Sequence, residues 1–272
     1  MNFELSEEQK MIQQSVERFV QENYDLSDRI KISSENPGYS KDYWNSMAEL
    51  GWLGLAFDEE DGGFGGNQID TLVLMEQFGK GLVLEPFLAN IVLAGGAIKR
   101  GASKALKESI IPKLIEGNLQ LTLAYAEEQS RFDIEDVATA AREDAGNFII
   151  NGKKSMVLNA ESADKVVVVT RTSGSQVDIN GISLFLVDLD SEGIERDNFP
   201  TVDGLRASEI TFKDVKVSAE NLIGEKDKGF SILQEVVNDA ILALSAEAVG
   251  AMEVLYKDTV EYTQQREQFD HP

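Results

Sequence analysis

Near Leu121 the hydrophobic repeat of this chain changes from helical to extended, and near Phe230 it changes back. That switch constrains the fold more than any single residue. A 3.6-residue pattern and a 2-residue pattern cannot be exchanged without turning apolar side chains into water. Before the switch the chain reads as helices. Ser6 and Gln9 make a capping-box pair, and Met11, Ile12, Val16, Phe19 and Val20 then mark one helical face. A second helix, around Tyr43 to Leu50, carries Trp44 and Met47 and is closed by Gly51. A third is capped by Asn67, with Ile69, Leu72, Val73 and Phe78 inward. Two more are expected near Leu88 to Arg100 and from Ser103 to Ile115, with Gly117 closing the last.

Past Leu121, the runs LTLAYA, NFIING, KVVVVT, GISLFLV and EITFKDV are short and rich in β-branched and aromatic residues. The turn formers DAGN, SGSQVDING and DLDSEG lie between them. Several short strands in about 100 residues predict a barrel or sandwich. From Phe230 onward, Ile232, Val236, Val237, Ile241, Leu244, Ala248, Met252, Leu255 and Val260 form a nearly continuous apolar stripe, and such a helix needs partners on more than one side. The expected fold is α+β: a helical domain over residues 1–120, a β-barrel or sandwich domain over 121–228, and the start of a helical bundle over 229–272.

The chemistry open to this chain is narrowed by what it lacks. It has no cysteine, which excludes thiolate metal sites and Cys nucleophiles, and its only histidine, His271, is next to the last residue. A formal net charge of −23 argues against nucleic acid and anionic membrane as partners. The acidic, polar start MNFELSEEQK is not a signal peptide, and no apolar run approaches a membrane span, so the cytoplasm is the expected compartment. The loop GGFGG, Gly62 to Gly66, precedes a helix but lacks a following Lys and a βαβ context. It reads as a glycine turn rather than a phosphate loop.

Three longer segments carry a family resemblance. ELGWLGLAFDEEDGGFGG, Glu49 to Gly66, is similar to the first-domain signature of the acyl-CoA dehydrogenases. IIPKLIEGNLQLTLAYAEE leads into the β region as it does in that family. GLRASEITFKDVKVSAENLIGEKDKGF, Gly204 to Phe230, resembles the family's Gly-x-Arg-x-Ser stretch, its Phe-x-Asp-Val-x-Val and its Gly-rich exit. SAEAVGAMEVL and the variant β-domain motifs look most like the small subunit of pimeloyl-CoA dehydrogenase. The chain ends at Pro272 inside the Arg-x-x-Phe motif of its last helix, whereas family members continue through a C-terminal helical bundle, so an incomplete third domain is expected.

The resemblance implies an FAD enzyme that removes an α-proton and a β-hydride from an acyl-CoA thioester, passing electrons to an acceptor protein. AYAEEQSRFDIEDVATAA aligns with the family's flavin-contacting Thr-Glu-Pro motif: Asp133, Val137 and Thr139 match its end, and Tyr125 and Glu127 match its start if a gap is allowed. Arg131 and Phe132 replace the motif's small residues and are expected to crowd the site. GKKSMVLNAES aligns with Trp-x-Thr-Asn, with Met156 at the Trp position, Leu158 at the Thr position and Asn159 retained. Met156 suits an aromatic face, Leu158 lacks the hydroxyl, and packing in the barrel core is the equal alternative for both. Arg266, Gln268 and Phe269 match a contact to the FAD of a neighbouring subunit, where a planar guanidinium suits a pyrophosphate. The catalytic base has no counterpart. One family position aligns with Ala240, the other lies beyond Pro272, and Asp239 would point about 100° away around the helix. Glu247 and Glu253 read as solvated or structural. Two functions follow: a dehydrogenase subunit, with pimeloyl-CoA as one substrate, or a non-catalytic partner that completes the FAD site of a large subunit in a homo- or hetero-oligomer. An oxidase or flavin monooxygenase on the same fold is a distant third.

Overall fold

The computed structural model describes residues 4–268. Helix α1 (Glu7–Asn23) opens on the expected reciprocal cap, Ser6 accepting from the Gln9 N–H and the Gln9 side chain from the Ser6 N–H. Val16, Phe19 and Val20 are buried but Met11 is 69% exposed, so the inward face is narrower than the pattern. Helix α2 (Leu26–Ser34) buries none of its residues, which is why no apolar repeat announced it. Helix α3 (Lys41–Glu49) buries Trp44 and Met47 and stops at Gly51, whose φ is +81°. Helix α4 (Gln68–Gly81) starts on an Asn67–Asp70 capping box. It buries Val73, Leu74, Met75 and Phe78, while Ile69 stands in solvent. The helix expected after Leu88 forms in two parts, a π-helical Leu88–Gly95 and then α5 (Gly96–Gly101). Helix α6 (Lys104–Ile115) follows, capped by Ser103.

The described residues through Lys31, Asn67–Val83 and the described residues from Ile241 onward form one compact unit. Its helices are α1, α4 and the later turns of α7 (Phe230–Gln265). Helices α4 and α7 meet backbone to backbone. A Cβ on Gly79 would lie 1.9 Å from the Glu247 carbonyl oxygen, and one on Gly250 would lie 1.8 Å from that of Glu76. Glycine is required at both positions because any side chain would separate the helices. Lys80 reaches across the crossing to Glu253, at 2.9 Å.

Ile32–Gly66 and Leu84–Ala240 form the other unit. Its strands are β1 (Leu121–Ala124), β2 (Ala140–Asp144), β3 (Asn147–Leu158), β4 (Lys165–Arg171), β5 (Ile182–Asp188), β6 (Ile194–Pro200), β7 (Arg206–Val217) and β8 (Leu222–Ile223). All five expected runs form strands. β2 and β6 were not anticipated, since most of their residues face solvent and carry no apolar signal. The eight strands make one mixed sheet in the order β6-β7-β3-β2-β4-β5-β8, with β1 parallel to β4. β3 and β5 are three strand spacings apart in this order, about 14 Å on a flat sheet. The Phe148 and Phe185 rings nevertheless lie 4.6 Å apart. The sheet therefore curls over a single core, which also takes in Ile150, Val168, Phe212 and Val217.

Helix α7 corrects the single stripe expected of it. Leu233, Val236, Ala240 and Ala243 in its first turns are buried, whereas Ile241, Leu244, Met252 and Leu255, on the adjoining sector and mostly further along the helix, are exposed. Among the described residues no helix is long and apolar enough to cross a membrane.

Candidate functional site

The GGFGG loop has no N–H to offer a phosphate. The amides of Gly63, Phe64, Gly65 and Gly66 bond the carbonyls of Asp58, Gly54, Phe57 and Leu55, at 2.8–3.1 Å. Backbone donors already used inside a turn cannot cradle an anion, so the turn reading stands.

The unusual geometry lies on β3. Its pairing with β7 shifts register between Lys154 and Val157, a bulge. Within the bulge Met156 adopts φ +52°, a left-handed conformation that costs a non-glycine residue about 1–2 kcal/mol. Bulges re-aim side chains, and this one turns the Met156 thioether outward, 53% exposed. Met156 is therefore not core packing. Leu158, two residues on, is half-buried, and its carbonyl accepts the Thr122 hydroxyl at 2.6 Å. Asn159, also left-handed at φ +58°, is buried. Its amide donates to Gln120 at 2.8 Å, and Gln120 in turn donates to the Tyr39 hydroxyl.

Beside the bulge runs the segment that leaves β1. Tyr125 is half-buried, and burial pushes its phenol pKa up. Glu127 is buried and pairs with the fully buried Lys154 at 2.7 Å. It also accepts the N–H groups of Ala138 and Thr139, each at 3.0 Å, and the Gln129 amide at 2.8 Å. Burial pushes the Glu127 carboxyl up, but the Lys154 ammonium and these hydrogen bonds outweigh it and hold the group below its ordinary range. Burial lowers Lys154 to about 8, against the pull of Glu127. Glu127 is thus a structural carboxylate that ties its own loop together. A cavity of about 200 Å³ opens here, lined by Glu127, Thr139, Gly152, Lys153, Ser155 and Glu209 among others.

Arg131 and Phe132, which replace the motif's small residues, both point into solvent. Phe132 is 97% exposed and Arg131 takes φ +48° in solvent. Ala240 is buried on α7 and offers only a methyl group. The adjacent Asp239 is held in an ion pair with Arg100, which also pairs with Glu235 at 2.9 Å. Glu253 lies between Lys257 and Lys80, whose hydrogen bonds pull its carboxyl down to about 2. Arg266 is exposed at the end of α7, over the Tyr262 ring at 5.5 Å and bonded to the Tyr262 hydroxyl. Gln268 is exposed, and Phe269 lies outside the described residues. The structure thus brings Tyr125, Glu127, Met156 and Leu158 together around β1 and β3. Arg266 and Gln268 belong to the other unit.

Residues 6–118 match the family model of the acyl-CoA dehydrogenase N-terminal domain, and residues 122–215 match that of its middle domain. The chain belongs to the acyl-CoA dehydrogenase family. Caffeyl-CoA reductase-Etf complex subunit CarC of Acetobacterium woodii is 27% identical over 271 residues, covering 97% of this chain and 70% of that protein. The short-chain specific acyl-CoA dehydrogenase of Megasphaera elsdenii is 30% identical over 244 residues, covering 86% of this chain and 63% of its own length. A structure described as an FAD complex of PigA superposes with a TM-score of 0.90 at 26% identity, covering all of this chain and 72% of that one.

Sequence reasoning missed Lys154 and Arg171. Lys154 had a signal: it shares strand parity with Phe148 and Ile150, so alternation sends it into the core, where an ammonium needs a carboxylate. Arg171 closes the apolar run of β4 with no comparable warning. It is buried and gives its guanidinium to five backbone carbonyls, those of Glu135, Val137, Gln176, Asp178 and Asn180.

Proposed function

We propose that this chain is the FAD-bearing part of an acyl-CoA dehydrogenase, converting an acyl-CoA thioester to its 2-enoyl-CoA. The observation that carries this reading is the Met156 bulge. A large apolar side chain is held outward in a costly conformation, beside a 125–127 segment tied to β3 by Lys154 and Ser155, in a chain of this family. An observed backbone outlier of this kind supports a functional reading. The residues fit a flavin, since an exposed thioether is a good neighbour for a broad aromatic face. When bound, FAD accepts the β-hydride.

In this reading Met156 lies against the ring, and the 125–127 segment borders it without conceding the Glu127 carboxylate, which is already bonded. Leu158 gives that edge no side-chain hydrogen bond. Arg266 and Gln268, with Phe269, lend donors and an apolar contact to the pyrophosphate and adenine of a neighbouring subunit's FAD. The α-proton is not taken by Ala240, which has no titratable group, nor by Asp239, which Arg100 holds. It passes to a carboxylate outside residues 4–268. The chain works as a homo- or hetero-oligomer and delivers electrons to an electron-transferring flavoprotein, a reading supported by the Etf complex named for the CarC relative. A dicarboxylyl-CoA such as pimeloyl-CoA is the finer substrate reading, and it rests on the sequence resemblance alone.

A second reading, a non-catalytic subunit that completes a partner's FAD site, is favoured by Leu158 and Ala240. One experiment separates the two: the visible spectrum of the purified chain, alone and co-expressed with a complete acyl-CoA dehydrogenase. Flavin absorption in the chain alone, bleached anaerobically by an acyl-CoA once the proton acceptor is supplied, is the expected result. Flavin only in the complex overturns it in favour of the partner reading.

A further inference from the structure

Lys154 occupies the last regular position of β3 before the bulge that presents Met156. Its ammonium makes two bonds, to the Glu127 carboxylate at 2.7 Å and to the Tyr125 carbonyl at 3.2 Å. The next residue, Ser155, donates its N–H to the Ala126 carbonyl at 2.9 Å. Three consecutive residues of the 125–127 segment are therefore tied to two consecutive residues of β3. The far side of the loop is pinned as well: Glu127 accepts the amides of Ala138 and Thr139, and the Arg171 guanidinium takes the carbonyls of Glu135 and Val137.

A buried ion pair is an expensive way to hold a strand. Isosteric apolar residues would stabilise the same packing as well or better. What an ammonium adds is direction, because it can satisfy a carboxylate and a main-chain carbonyl from one point. Here those two acceptors belong to the segment beside the bulge, not to the sheet.

We propose that Lys154 is a positioning residue for the flavin: by holding Tyr125 and Glu127 together, it clamps the 125–127 segment to the start of the bulge and fixes the direction in which Met156 faces. This rests on the cofactor reading above. An ion pair serving stability alone would leave the flavin's surroundings unchanged once both charges are removed together.

The test uses the full chain, or its complex if flavin appears only there. The double variant Lys154→Met with Glu127→Gln removes the clamp without leaving a lone buried charge. Lys154→Arg keeps the charge while displacing the donor, and serves the same test should the double variant fail to fold. Three quantities are read: the FAD dissociation constant, the visible circular dichroism of bound FAD, and the hydrogen-exchange rate of the Ser155 amide without flavin. We expect FAD affinity to fall at least tenfold, the dichroism to change, and Ser155 to exchange at least tenfold faster. A folded variant with wild-type affinity and dichroism overturns the proposal. If the wild-type protein takes up no FAD in either form, the cofactor reading has failed. Unchanged Ser155 exchange then shows separately that Lys154 is no clamp.

Discussion

Glu85 is a carboxyl that the fold keeps almost wholly from water. It is 5% exposed; one oxygen accepts the Ser40 N–H at 3.1 Å and the other has no hydrogen-bond partner among the described residues. Burial raises its pKa to about 7, against the opposing pull of nearby backbone N–H groups. The folded chain therefore holds this proton where the unfolded chain has released it. The stabilisation is complete below the unfolded value and is lost as pH rises through about 7. The loss is on the order of 3 kcal/mol. Urea unfolding at pH 5 and pH 8 should show wild type losing most of that amount relative to Glu85→Gln, which keeps the acceptor and has no proton to release. Equal slopes for the two proteins would refute the assignment. Met156→Gly makes the opposite test of strain. Relief of the left-handed conformation should raise the stability of the flavin-free chain by about 1 kcal/mol. The same change removes the thioether, so FAD retention in gel filtration should fall. A variant both less stable and equally yellow would remove the functional reading of the bulge.

At the scale of elements, the α4–α7 crossing makes the sharpest prediction. A methyl group at Gly79 or Gly250 would meet a main-chain carbonyl within 2 Å, and no rotamer can relieve a clash with backbone. Gly79→Ala and Gly250→Ala should each lower stability by more than about 3 kcal/mol, read as a drop in melting temperature. A small change would mean that the two helices can separate cheaply. Elements with a chemical start signal were legible in the sequence: the Ser6–Gln9 cap, the Asn67 cap and the Gly51 stop all stand where expected. So were strands buried enough to read as apolar runs. α2, β2 and β6 were not, because they expose most of their side chains and local composition gave nothing to find. The π-helical turn at Leu88–Gly95 was hidden for another reason: Ala89 through Gly95 are all buried, so no polar face marks the length of the helical repeat. In the candidate site, the sequence singled out Met156 but not the bulge it sits in. Its left-handed φ depends on the register that β7 imposes from distant sequence.

For the molecule as a whole, the exposed apolar face of α7 and the charge of −23 act in opposite directions. Ile241, Leu244, Met252 and Leu255 invite association, while like charge keeps copies apart. Sedimentation should show concentration-dependent self-association that strengthens with added salt, as the repulsion is screened. Met252→Lys with Leu255→Lys should abolish it. A monomer at every concentration and salt would show that the face does not associate. The sheet order has a further consequence in time. Phe148 at the start of β3 pairs with Val217 at the end of β7, so that pairing must wait for a residue 69 positions downstream (217 − 148). At about 5–20 residues per second the ribosome takes on the order of 3–14 s to deliver it. Until then the β2–β3 hairpin shows an open edge to every other nascent chain, the condition in which strands aggregate. Lys153, Lys154 and the bulge lie along that edge. Charge and irregular backbone at an unpaired edge discourage the wrong partner, so the feature that shapes the finished site also guards the chain while it is being made.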